Sequence, residues 1–173
     1  MKERQNMSND NEMKNKITNW LLEEGITFTQ VPDDAVEFRL RATYGGYFID
    51  IVKEKGMKRL VCVGNLAFHE KAIQAYAKLP NKKARTEFRY DLLLKLTKLP
   101  PGCSIQPTSE IDTICSIVID HLTFLDELNK TFFMRSMQSV AKSLHIANLF
   151  SLKTFGVDVM MPNSSSGTSP GVS

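Results

Sequence analysis

No run of apolar residues in this 173-residue chain approaches the ~20 that a helix needs to cross a bilayer. Cysteine is scarce. Cys62, Cys103 and Cys115 are three in number and form no C-x-x-C pair, which argues against a closed disulfide framework and fits a reducing compartment. The Walker loop, G-x-S-x-G and H-E-x-x-H are all missing, so phosphate cradles, serine hydrolases and zinc proteases find no support. Met1 to Lys16 is polar and lacks the apolar core of a signal peptide. The cytoplasm is therefore the expected location.

Charge of one sign is also missing in bulk. The formal net charge is +3, too small to argue for nucleic acid. Residues 26–100 hold 14 Lys or Arg against 8 Asp or Glu, a mildly basic middle that a solvated helix face accounts for. Within it, Lys82, Arg85 and Arg89 fall on one face of a helical stretch, and Arg39 and Arg41 share the polar face of a strand. Either set offers a weak anion site, without the interleaved aromatics that stack on bases.

Candidate chemistry is thin. His69, His121 and His145 have no second ligand at helical spacing, so no metal site is expected. Cys62 and Cys115 sit in apolar strands, where a thiol is ordinarily inert. Acidic pairs at Glu23-Glu24, Asp33-Asp34 and Asp126-Glu127 lie at turns or helix ends, where capping and solvation explain them. No catalytic residue and no cofactor is assigned.

What the sequence has in plenty is period. Met13, Ile17, Trp20 and Leu21 recur at helical spacing before Gly25, a residue suited to a left-handed helix end. The period then changes, and Ile26 to Val31 reads as a strand. Val36 to Tyr44 alternates apolar and polar residues, Gly45-Gly46 suits a tight hairpin, and Tyr47 to Val52 and Leu60 to Val63 continue an antiparallel meander. Helices are expected over His69–Leu79 and Lys82–Leu99, stopped by Pro100-Pro101-Gly102. Strands around Ser104–Gln106 and Thr113–His121 follow. A final long helix starts at the capping-box pattern Thr123-Phe124-Leu125-Asp126 and runs to about Thr154.

The order α-β-β-β-β-α-α-β-β-α indicates an α+β fold, an antiparallel sheet flanked by helices. Residues 1–12 read as a flexible leader, 13–155 as a single α+β domain and 156–173 as a disordered Ser/Gly/Pro tail. The expected core contains Phe38, Leu40, Ala42, Ile49, Ile51, Val61, Ile117, Ile119, Phe132 and Val140. The last helix carries more apolar residues than one sheet face needs. Phe133, Ile146, Leu149 and Phe150 are therefore expected at a dimer or partner interface.

The element order, with the junction Ile117-Val118-Ile119-Asp120-His121-Leu122-Thr123, resembles the type III secretion chaperone-like fold, which includes YbjN-type proteins. The stretch Phe132-Phe133-Met134-Arg135-Ser136-Met137-Gln138-Ser139-Val140 resembles, more narrowly, an uncharacterised archaeal family with that fold. The resemblance spans about residues 13–155. It implies frequent homodimers and the binding of peptides or proteins without cofactor or turnover. A fourth strand and an extra helical segment before the final strands depart from the family pattern. The functional expectation is a non-catalytic binding or adaptor protein, chaperone-like in kind. The alternative is a small-molecule enzyme whose site is assembled from dispersed residues.

Overall fold

The computed structural model of the chain describes residues 2–98, 102–106 and 110–156, and for residues 2–10 and 103–106 the backbone alone. The elements are α1 (Lys2–Glu23), β1 (Phe28–Gln30), β2 (Val36–Tyr44), β3 (Tyr47–Glu54), β4 (Arg59–Ala67), α2 (Glu70–Ala77), α3 (Lys82–Leu96), β5 (Gly102–Gln106), β6 (Ser116–Phe124) and α4 (Lys130–Phe155). Their order is the one expected from the sequence. The strands form one six-stranded sheet, β1-β2-β3-β4-β6-β5, antiparallel at every pairing.

Glycine fixes the two tightest reversals. Gly45 and Gly46 take φ of 59° and 82°, the pair of positive angles a two-residue hairpin requires, and set Tyr44 opposite Tyr47. Gly25, at φ 65°, ends α1 with Gly25 N–H donating to Leu22 O at 3.0 Å and Ile26 N–H to Leu21 O at 2.8 Å. That is the doubly bonded Schellman closure. It turns Ile26 into the core.

The core lies between the sheet and α4, which rests on β3, β4 and β6. From the helix come Phe133, Met137, Val140, Leu144 and Ala147; from the sheet come Leu40, Ile49, Ile51, Leu60, Ile117 and Ile119. Close approach depends on small residues. A Cβ built on Gly64 would lie 2.5 Å from Leu144 Cδ1 and 2.9 Å from Val140 Cγ1. Buried serines on α4 are satisfied locally: Ser143 Oγ donates to Ser139 O and Ser151 Oγ to Ala147 O, each at 2.9 Å. At one end α1 buries Ile17 and Leu21 and sets Trp20 on Phe133, ring centroids 5.8 Å apart. At the other end Tyr76 of α2 and Phe88 of α3 meet Phe150 and Phe155 of α4 in an aromatic cluster.

Four expectations need correction. The backbone of α1 is helical from Lys2 rather than from about Met13. The preceding stretch has no proline or glycine, so the helix propagates backwards from its anchored half. The final helix starts at Lys130, where Asn129 Oδ1 accepts from Phe132 N–H at 3.0 Å, because Thr123 and Phe124 belong to β6. Phe132 is 48% exposed and Phe133 fully buried, the reverse of the expected assignment. Val61 is half-buried on the outer face while its neighbours Leu60 and Cys62 point into the core. The other expected core residues are buried. The expected tail, from residue 157 on, lies outside the described residues.

Candidate functional site

β6 has two edges, and they end at different places. On one side β4 pairs with it from Ala67↔Ser116 to Arg59↔Phe124. On the other, the described pairs with β5 run from Gln106↔Ser116 to Gly102↔Asp120. Leu125 N–H donates to Lys58 O and Cys115 O accepts from Phe68 N–H, so the odd-numbered residues turn their backbone groups toward β4. By alternation Leu122 and Phe124 turn theirs to the side that β5 leaves. Phe124 O is taken by Glu127 N–H at 3.2 Å. Leu122 N–H and C=O and Phe124 N–H then have no described strand beside them.

The side chains around this edge are apolar and open. Leu122 is 36% and Phe124 55% exposed on the outer face. On the inner face a groove of about 370 Å³ runs between the edge and α4, lined by His121, Thr123, Glu127, Phe132, Arg135 and Ser136 among others. Its floor is closed by the buried pair Thr123 Oγ1 and Ser136 Oγ, 3.0 Å apart. Burial pushes the His121 imidazole below its usual range, with Asp120 acting the other way. His121 Nδ1 is buried without a hydrogen-bond partner among the described residues. A strand edge with no described neighbour, beside exposed aromatics and a groove, is an arrangement to which an extended peptide can add as a further strand.

The residues singled out in the sequence do not assemble here. Phe133 is in the core; Phe150 stacks on Phe88 at 5.4 Å under Lys95, and Ile146 is half-buried. Of that set Leu149 alone is exposed, joined by Leu152. Arg85 pairs with Asp112 at 2.6 Å and Arg89 donates to Glu110 O and Thr113 O, so both arginines hold the segment before β6, while Lys82 is exposed at the start of α3. Arg39 and Arg41 converge on Asp50. Burial alone would raise the Asp50 carboxyl, but hydrogen bonds from Arg41 and Arg39 outweigh it and hold the group below its ordinary range.

The register sets Cys62 opposite His121, a juxtaposition invisible in the sequence. It is not an activated pair, because burial pushes the thiol up to about 12 and the thiolate is the nucleophile. His69 instead caps α2, accepting from Lys71 N–H at 3.2 Å. Among the described residues no cluster of His, Cys, Asp and Glu could hold a metal ion, and no helix is long and apolar enough to cross a membrane.

The family described as "Uncharacterized conserved protein (DUF2299)" matches residues 13–150. An uncharacterized protein from Methanothermobacter thermautotrophicus, 21% identical, superposes with a TM-score of 0.76 over 85% of this chain and 99% of its own. It shares the fold. YbjN from E. coli, 12% identical, gives 0.49 over 84% of this chain and 93% of its own. A chain of the HopA1–SchA chaperone–effector complex, also 12% identical, gives 0.48 over 80% and 94%. No curated protein is significantly similar. The resemblance to an uncharacterised family read from the sequence is borne out by the family match and by the fold shared with the archaeal protein.

Proposed function

The chain belongs to the DUF2299 family, and we propose that it is a non-catalytic binding protein that docks an extended polypeptide segment along the β6 edge at Leu122 and Phe124. One observation carries the reading: Leu122 and Phe124 combine backbone groups that have no strand beside them among the described residues with exposed apolar side chains beside the groove under α4. Main-chain bonds to the edge supply affinity, and side chains on either face supply selectivity. The edge is short, so the added strand makes few bonds and Phe124 and Phe132 act as its apolar anchors.

The test is selection from a displayed library of unstructured peptides, followed by amide exchange on the complex. Protection of the Leu122 and Phe124 amides is expected, with at least about tenfold weaker binding for Phe124→Asp. Leu94→Asp, on the exposed side of α3, should bind normally. Selected peptides that leave both amides unprotected and ignore Phe124→Asp would overturn the proposal.

Self-association is proposed separately, through Leu149 and Leu152 on the outer side of α4. Sedimentation equilibrium at micromolar concentration would show a dimer that Leu149→Asp dissociates. A monomer mass throughout refutes it.

A further inference from the structure

A second cleft lies away from the β6 edge, between the β2–β3 hairpin and the middle of α4. It measures about 520 Å³, within the usual range for small-molecule sites. Tyr44, Tyr47, Ala141 and Ile146 form its walls, and Lys142 and His145 stand among its lining residues. The turn residue Gly45, at φ 59°, faces α4 closely enough that a Cβ there would make ordinary contact with Ala141 Cβ at 3.6 Å.

The polar groups are arranged for one sign of charge. Among the described residues no carboxylate lines the cleft. Lys142 is exposed and has no ion-pair partner among the described residues. The Tyr47 hydroxyl and His145 Nδ1 are hydrogen-bonded at 3.1 Å. When the phenol donates that bond, Nδ1 is the acceptor of a neutral ring and Nε2 carries the proton. A donor N–H and an ammonium group then border an apolar space walled by two aromatic rings. We propose that this cleft binds a small organic acid, its aromatic or branched apolar body against Tyr44, Tyr47 and Ile146 and its carboxylate between Lys142 and His145. The inference stands apart from the peptide-docking reading, since the two sites share neither edge nor apolar anchors.

Three probes of one shape separate the contributions: phenylbutyrate, phenylbutanol and phenylbutylamine, titrated into the full chain and followed by amide proton–nitrogen spectra. Saturable shifts at Tyr44, Tyr47, Ala141 and His145 are expected, with the acid bound about tenfold tighter than the alcohol, the scale of one charge-assisted hydrogen bond. Lys142→Glu, a surface change that leaves the fold intact, should reverse the order so that the amine binds tighter than the acid. Ala141→Leu, which fills the cleft, should weaken all three probes, with the outer-face amides unmoved. Equal affinity for acid and alcohol would overturn the proposal. So would shifts centred elsewhere, or none at about 10 mM probe.

Discussion

Gly64→Ala is the sharpest test of how α4 sits on the sheet. The added methyl would fall 2.5 Å from Leu144 Cδ1, 2.9 Å from Val140 Cγ1 and 3.2 Å from Leu144 Cγ. A methyl tip can often swing aside, but Leu144 is 1% exposed, and in a close-packed interior it meets other side chains when it moves. Val140 is branched at Cβ and holds one rotamer in a helix. The helix or β4 must therefore shift. Overpacking of this kind costs about 1–3 kcal/mol, offset by about 0.5–1 kcal/mol because alanine is less flexible than glycine in a strand. The net expectation is a loss of up to about 2.5 kcal/mol, at about 2–4 °C in melting temperature per kcal/mol for a domain of this size. Urea melts read the first quantity directly. Leu144→Ala alone should cost about 2–5 kcal/mol. Combined with Gly64→Ala it should cost less than the sum by about 1 kcal/mol, since each change supplies what the other lacks. A stabilising Gly64→Ala, or strict additivity of the pair, would refute this packing.

Three further outcomes are expected. Phe133→Ala should cost about 3–5 kcal/mol as a core truncation, while Phe132→Ala should stay within about 0.5 kcal/mol yet weaken peptide binding; paired urea melts and titrations separate them, and equal costs would undo the helix phase. Asp50→Asn should lose about 1–2 kcal/mol at neutral pH, the lower part of the range for charged hydrogen bonds because both arginines are partly exposed. Its folded pKa lies below the unfolded one, so the stabilisation is complete above about 3.9 and disappears as pH falls through the depressed value; wild type and variant should converge in acid melts. Cys115 should react with a thiol reagent in the native protein and Cys62 only on unfolding, because one is exposed and the other is buried with its pKa pushed up to about 12; labelling followed by peptide mass mapping decides it.

The elements that were legible in the sequence are those whose signals are local. The alternation of β2 and the glycine pair after it fix the first hairpin without reference to anything distant. The start of α4 was not legible, because the Thr-x-x-Asp pattern at Thr123 competes with a strand ladder to Arg59 and Leu60, and that pairing is set by the remote chain. A helix begun at Thr123 takes Leu125 and Leu128 into its apolar stripe and draws Phe132 in with them. Phase taken from Met137, Val140 and Leu144 alone selects Phe133, one turn before Met137. Val61 lies in an unbroken apolar run, where alternation gives no phase. The β6 edge was beyond reach for a different reason. It depends on which residues of β4 and β5 stand beside β6, and a one-dimensional pattern does not record cross-strand register.

The same unequal pairing has a consequence for how the chain acquires its structure. β2, β3 and β4 follow one another and can zip from Gly45-Gly46 with short closures. β6 joins β4 only after an excursion from residue 68 to residue 115, and closing so long a loop must be met in entropy before its contacts return anything. The seam between β4 and β6, over which α4 lies, is therefore expected to form last. Conservative truncations should divide accordingly: Ile51→Val in the meander slows refolding, and Ile119→Val across the seam chiefly speeds unfolding. Stopped-flow traces in which both changes act on the same limb would reverse that order.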